Sequence, residues 1–347
     1  MKKSLLSMLF LAAFTICIAG CGEVPHQYYD AGFAFLENGQ FEEALSNFST
    51  SLNLEKETKE CYRGQGIAYL GTGAYDEACE SFLKALSLSH GGIQDIDYDI
   101  NYYLGYSYRL GGHYEEALEV YNAIITLKPK ESQAYYQRAL CRLKLGDRTG
   151  ADEDIRVLQT RNPGDYDLFL EMFFSIKEIG EDTFADEFLH SVLDGSDKKM
   201  SDYDKGRILF YIEDYSNARV YLEKSKDMAN PETYLMLGKT YEAIGDYQYA
   251  ASLYNSYLDI KGNNAAVYNQ LGICRCKRGD YEGAISAFSF GINLDDPEWN
   301  KVLLFNEAVA YEKMLDFETA KVKFEEYYKL FPSDETAKRE LVFLETR

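Results

Sequence analysis

Small, aliphatic and aromatic residues return along this chain at the three- and four-residue spacing of an α-helix, in runs broken by glycine or proline. Residues 104–129, LGYSYRLGGHYEEALEVYNAIITLKP, show the pattern clearly. Leu104, Gly105 and Tyr108 mark one face of a first run, and Ala117 and Tyr121 one face of a second. Between the runs, Gly112 supplies the left-handed residue on which a helix stops. Pro129 closes the second run and starts the next turn. Gly105 and Ala117 are small enough for two antiparallel helices to approach closely, while Tyr108, Tyr114 and Tyr121 fill the space around the contact. The pattern predicts a helical hairpin.

The hairpin recurs along almost the whole chain. Its small first-helix marker falls at Gly32, Gly66, Gly105, Ala139, Phe173, Gly206, Gly238, Gly272 and Ala308, at steps of 32 to 39 residues with 34 the commonest. The turn carries Gly39, Gly73, Gly112, Gly146, Gly180, Gly245 and Gly279 as left-handed residues. Asp147, Asp214, Asp246, Asp280 and Asp316 follow where a side-chain oxygen can cap the second helix. An aromatic stands beside them at Phe41, Tyr75, Tyr114, Tyr215, Tyr247, Tyr281 and Phe317. Ala44, Ala78, Ala117, Ala151, Ala185, Ala218, Ala250, Ala284 and Ala320 hold the small slot of every second helix.

This spacing resembles the tetratricopeptide repeat (TPR), a helix-turn-helix unit of about 34 residues. The resemblance implies an all-α TPR solenoid, a right-handed superhelix of about nine repeats over 25–332, closed by a capping helix over 333–347. Ser333 is the expected N-cap of that last helix, with Glu335 and Glu340 outside and Leu341, Phe343 and Leu344 buried against the ninth repeat. Three places depart from the pattern. Residues 90–99 add five positions, with Gly91-Gly92 and the acidic Asp95-x-Asp97-x-Asp99, but Ile100 and Tyr106 stand where a calcium loop of the EF-hand type needs Gly and Glu. They read as a solvated loop and a helix start. Arg148 and Asp182 replace the inter-helix aromatic in repeats four and five, and Phe173 sits where a small residue belongs. Repeat six is short, ending at Met228-Ala229-Asn230-Pro231, so the stack is expected to be least regular or kinked over 165–231.

Length and charge then narrow the function. A chain of 347 residues would ordinarily suggest two or three domains, but a solenoid grows without adding separate cores. The formal charge of −21 disfavours nucleic acid as a partner. Lys2 and Lys3 precede an apolar run over 5–19, too short for a spanning helix and suited to a signal peptide over 1–20. Its end, Ile18-Ala19-Gly20-Cys21, is similar to a bacterial lipobox, which makes Cys21 the lipidated mature N-terminus and residues 21–24 a short tether. The expected location is the extracytoplasmic face of a cell membrane, with a lipid such as palmitate as anchor. Loss of the leader removes Lys2 and Lys3 and no acid, so the mature charge becomes −23.

No catalytic constellation emerges. His26, His90, His113 and His190 lie in different repeats, none at useful spacing from a serine or cysteine. Cys274 and Cys276 point far apart on a helix, and Cys274 occupies the slot held elsewhere by Ala34, Ala68, Cys141 and Ala310. Neither a cofactor nor a metal site is expected, nor an enzyme. The family resemblance instead implies a partner-binding concave groove lined by the first helices. Its positions hold Arg63, Arg109, Lys144, Lys177, Arg207, Lys239, Lys277 and Lys313 against Glu37, Glu60, Asp99, Asp167, Glu178, Glu232, Glu242 and Glu312, so the groove is nearly neutral. It also carries Tyr29, Phe33, Tyr102, Tyr106, Tyr136, Phe174, Tyr203, Phe210, Tyr211 and Phe305, rings that serve either contact or inter-repeat packing. Tyr102, Tyr106, Arg109, Tyr136, Arg207, Phe210 and Tyr211 are the expected binding residues, because aromatic and basic groups cluster there while the repeat pattern is weakest. The expected function is a membrane-anchored scaffold for protein or peptide partners in envelope assembly. Surface glycan binding and a structural, self-associating spacer are the alternatives.

Overall fold

The computed structural model of the protein describes residues 27–54, 58–196, 200–226 and 231–347. Cys21, the leader, the tether and the turn at Met228 lie outside the described residues. Among the described residues there are nineteen helices and no strand. They run as α1 (Gln27–Glu37) and α2 (Phe41–Leu54), α3 (Lys59–Thr72) and α4 (Tyr75–Ser87), α5 (Asp95–Gly111) and α6 (Tyr114–Leu127), α7 (Ser132–Lys144) and α8 (Arg148–Arg161). Next come α9 (Tyr166–Glu178) and α10 (Asp182–Ser196), α11 (Asp202–Tyr211) and α12 (Tyr215–Ser225), α13 (Pro231–Ala243) and α14 (Tyr247–Lys261). The pairs α15 (Ala265–Lys277) with α16 (Tyr281–Ile292) and α17 (Asn300–Lys313) with α18 (Phe317–Leu330) precede a single α19 (Glu335–Leu344). The fold is an all-α solenoid of helical hairpins with a terminal helix.

The chain divides into two compact units. One holds residues up to 165 together with 174–182; the other holds 166–173 and 183–347. The division runs through α9, in the fifth repeat, where Phe173 and Asp182 break the pattern. In the first unit α1, α3, α5 and α7 lie side by side, each packed on its second-helix partner. In the second, α11 lies beside α13 and α15 beside α17.

Most of the pairs are size-matched across the hairpin. A Cβ added at Gly32, Gly66, Gly105, Gly206, Gly238 or Gly272 would come within 2.3–2.9 Å of the residue sixteen positions on, namely Phe48, Phe82, Tyr121, Leu222, Tyr254 or Phe288. The glycine therefore receives a second-helix side chain, and close helix approach is its consequence. Where the first-helix residue is larger the partner is smaller in the fourth and fifth pairs, whereas in the ninth Ala308 keeps Phe324, both fully buried. Ala139 has Ile155 at that offset, and Phe173 has Leu189, all four buried. The bulky Phe173 is thus accommodated by an exchange of volume within its own pair. Beside these contacts the nine second-helix alanines, Ala44 to Ala320, are all fully buried.

The turns follow the sequence in detail. All seven predicted turn glycines have positive φ, from 70° to 85°. In the sixth and ninth pairs, which lack the glycine, Glu213 and Leu315 adopt φ of 65° and 67° themselves. The side chains of Asp147, Asp214, Asp246, Asp280 and Asp316 each accept from the backbone N–H three residues on. At the C-terminal helix two expectations fail. Asp334, not Ser333, is the N-cap, accepting from the N–H groups of Thr336 and Ala337, because it also accepts the Tyr327 hydroxyl at 2.7 Å. Phe343 is exposed while Leu344 is buried and Leu341 half-buried, since the helical period turns position 343 away from α18.

The acidic insertion is structural as well. Asp97 is buried and accepts from Lys59 Nζ at 2.7 Å, Ser89 Oγ at 2.7 Å and the Gln94 N–H at 2.8 Å. Burial alone would raise its pKa, but Lys59, Gln94 and Ser89 outweigh it and hold the carboxyl below its usual range. Asp99 pairs with Arg63, and Asp95 lies 3.9 Å from Lys128, so the three carboxylates face different partners.

Candidate partner-binding face

Within each of the two units the first helices carry the predicted groove positions. Among these the ten predicted rings divide by burial. Tyr106 and Tyr136 are core residues, 6% and 1% exposed, and the other eight are half-buried. None stands free in solvent. Burial raises the pKa of Tyr102, Tyr106 and Tyr211, and that of Tyr203 to about 12, so these phenols are neutral donors and acceptors across the physiological range.

In the first unit, polar links tie successive first helices together. Lys59 and Arg63 on α3 reach Asp97 and Asp99 on α5, and Arg63 also lies over the Tyr103 ring at 5.6 Å. Tyr136 on α7 donates to Ser175 Oγ on α9 at 2.6 Å, and Lys144 donates to the Ile179 carbonyl at 3.3 Å. Between α5 and α7 the arrangement differs. Arg109 lies over the Tyr106 ring, 5.0 Å from its centre, and its Nε is buried without a hydrogen-bond partner. Tyr102 packs edge-on against Tyr121 at 6.1 Å, and the fully buried Tyr121 hydroxyl also lacks a partner.

In the second unit Arg207 is ion-paired through both terminal nitrogens, while its Nε is buried without a hydrogen-bond partner. It donates to Asp167 and Asp204, both at 2.7 Å, and lies 4.8 Å from the centre of the Tyr203 ring. Burial alone would lower its pKa, but the two carboxylates outweigh that and raise it. Phe210 and Tyr211 stack edge to face at 5.3 Å, Phe210 against Tyr215 at 5.5 Å and Tyr211 against Phe173 at 6.2 Å. Asn269 is buried, and its carbonyl oxygen accepts from Asn306 at 2.8 Å.

The seven predicted binding residues therefore form two groups. Tyr102, Tyr106, Arg109 and Tyr136 belong to the first unit, and Arg207, Phe210 and Tyr211 to the second. Sequence reading did not find Lys239 as a special residue. It is a half-buried first-helix cation whose pKa burial lowers against the pull of Glu232 and Glu242. Nor did it find Asp154 on α8, buried between Arg138 and Arg142. The signal was present there, in Arg138, Arg142 and Asp154 at helical spacings within the repeat that lacks its turn aromatic. Cys79, Cys141, Cys274 and Cys276 are free thiols, and burial pushes the Cys79, Cys141 and Cys274 thiols up to about 12. Among the described residues no group of His, Cys, Asp and Glu is arranged to hold a metal ion.

A tetratricopeptide repeat model matches residues 29–93 and 102–166, and a second one matches 231–264. Among solved structures the chain is similar to a tetratricopeptide repeat protein from Parabacteroides merdae, at 16% identity over 82% of this chain and 98% of that one, with a TM-score of 0.43. It is also similar to the C-terminal part of a TPR repeat-containing protein from Cytophaga hutchinsonii, at 20% identity over 70% and 99% of the two chains, TM-score 0.44. A third is MamA from Desulfovibrio magneticus, at 22% identity over 52% and 99%, TM-score 0.42. No curated protein matches the sequence.

Proposed function

Because the chain is built of tetratricopeptide repeats, we propose that it is a non-catalytic scaffold that binds protein or peptide partners on its first-helix face, in envelope assembly. We place it at the extracytoplasmic side of a bacterial membrane, held by a lipid on Cys21. The observation that carries the binding role is the row of half-buried rings and fixed charges on α1, α3, α5 and α7. Rings already held by the core lose little side-chain entropy when a partner covers their open edges. The lipobox-like junction before Cys21 supports the anchor.

Two experiments test this. Photo-crosslinkers placed at Tyr102 and Tyr211 on first helices, and at the exposed Val220 and Val322 on second helices, are activated in the native cells. Protein adducts from the first pair and not the second are expected. Adducts confined to the second pair, or none at all, overturn the binding face. For the anchor, Cys21→Ala is expected to move the protein from the membrane to the soluble fraction. Continued sedimentation with membranes, with an unmodified N-terminal mass, refutes lipidation.

A further inference from the structure

Resting on the placement of a lipid anchor at Cys21, we propose that the first three hairpins lie with one end against the bilayer surface, with Leu54, Ile93 and Leu127 in contact with lipid. The repeat gives the first unit two chemically different ends. Each first helix is followed by a short turn and an antiparallel second helix, and each second helix by a link into the next first helix. The turns therefore gather at one end of the side-by-side hairpins and the links at the other.

The turn end is acidic. The turns over 39–43, 73–77 and 112–116 each close on two adjacent acids, Glu42-Glu43, Asp76-Glu77 and Glu115-Glu116, and none of them holds Lys or Arg or exposes a large apolar side chain. The link end is the reverse. Leu54 closes α2 at 70% exposure, Leu127 closes α6 at 52%, and Ile93 stands in the link before α5 at 60%. Tyr28 is exposed at the start of α1, and Lys128 lies over the Tyr98 ring at the start of α5, 3.7 Å from its centre. Acids at this end have cations beside them: Asp97 is buried on Lys59, and Asp95 lies 3.9 Å from Lys128. Exposed aliphatic side chains backed by tyrosine and lysine suit the boundary between acyl chains and headgroups, where an apolar body and a polar tip are both satisfied.

The tether selects lipid as the occupant. Helix α1 begins at the link end, and the six Cα steps from Cys21 to Gln27 span at most about 20 Å. The 11 residues of α1 then place the turn end about 16 Å further along the helix axis. A lipid on Cys21 thus keeps the link end near the bilayer, and the acidic turns, which anionic headgroups repel, point away from it. Three aliphatic side chains would not retain a free protein on a membrane, but an anchored chain meets the surface at high effective concentration.

The test supplies its own anchor, so it does not depend on Cys21. The chain from Gly22 to Arg347, which holds every described residue, carries an N-terminal histidine tag and is held on phosphatidylcholine vesicles doped with nickel-chelating lipid. An environment-sensitive fluorescent amino acid stands in place of Leu54 or Leu127 at the link end, or of Glu42 or Glu115 at the turn end. Blue-shifted emission and several-fold stronger quenching by bromine-bearing acyl chains are expected at the first two positions and not at the second two. With the probe in place of Ile93, Leu54→Asp together with Leu127→Asp is expected to remove most of the quenching. Both replaced side chains are exposed, melting curves check the fold, and the comparison of the two ends decides the matter if the variant does not fold. Equal quenching at both ends, or none at positions 54 and 127, overturns the proposal. A blue shift that grows with protein concentration without vesicles assigns this end to a second copy and overturns it too. The two failures are separable, because sedimentation of Cys21→Ala reports on the natural anchor and the tagged chain reports on the docking end.

Discussion

Replacing Gly272 by alanine tests the size matching within its own hairpin, whose glycine receives the Phe288 ring, unlike the ninth pair, where Ala308 already stands opposite Phe324. The new Cβ would lie 2.3, 2.6 and 2.7 Å from three atoms of the Phe288 ring, against 3.4–4 Å for ordinary contact. Phe288 is 1% exposed, beside Leu303 and Ala284, so the ring must retreat by about 1 Å into a filled core. Such overpacking costs about 1–3 kcal/mol, whereas the better helix propensity of alanine returns about 1 kcal/mol. The net expectation is a local loss of about 1 kcal/mol. Gly195→Ala is the control. That position is helical with nothing within 4 Å of an added Cβ, so the substitution is expected to stabilise by about 0.4–1 kcal/mol. A long repeat array need not unfold in one step, so the assay is amide hydrogen exchange resolved to α15 and α16. About fivefold faster exchange there corresponds to the expected loss. The fourth pair supplies the rescue, because it already combines Ala139 with Ile155. Gly272→Ala with Phe288→Ile is expected to be more stable than the sum of the two single changes. Unchanged protection in Gly272→Ala, or strict additivity in the double variant, would refute the argument.

Leu315 holds φ of 67° and is 73% exposed, so Leu315→Gly relieves backbone strain and gives up little buried area. It is expected to raise the melting point, by about 1 kcal/mol of local stability, and a lower one would contradict this. Asp154 accepts from Arg138 at 2.6 and 3.0 Å and lies 2.9 Å from Arg142 Nη1, at 2% side-chain exposure. Asp154→Ala leaves Arg138 without a carboxylate and Arg142 with only Asp147 at 3.6 Å, with an expected loss of about 3 kcal/mol seen as faster exchange in α7 and α8, and near-neutrality would refute the pairing. The hydrogen bond from the Tyr327 hydroxyl, with those from the Ala337 and Thr336 N–H groups, holds the Asp334 carboxyl at about 2, below its ordinary 3.8. Its contribution to α19 is therefore fully present above the ordinary value and disappears as pH falls through about 2. Helicity of α19 in acid, followed by hydrogen exchange, is expected to depend on pH in the wild type through this group, and Asp334→Asn is expected to remove that dependence.

Much of this molecule is readable from the chain because each hairpin is specified locally. A left-handed glycine, an aspartate cap and a buried alanine act within a few residues of one another, so turns and helix registers follow from spacing alone. The five capping aspartates and seven turn glycines behave as that spacing requires. What the spacing does not contain is which side chain a residue meets one helix or one repeat away. Phe173 reads as a misfit until Leu189 is seen at its matching offset, and Tyr136 as a contact residue until its burial against the next repeat is seen. Arg63, Arg109 and Arg207 look alike in sequence, as bases on the first-helix face. Only the tertiary structure supplies carboxylates to the first and third and none to the second, since ion pairing depends on angstrom-scale approach between residues some forty positions apart.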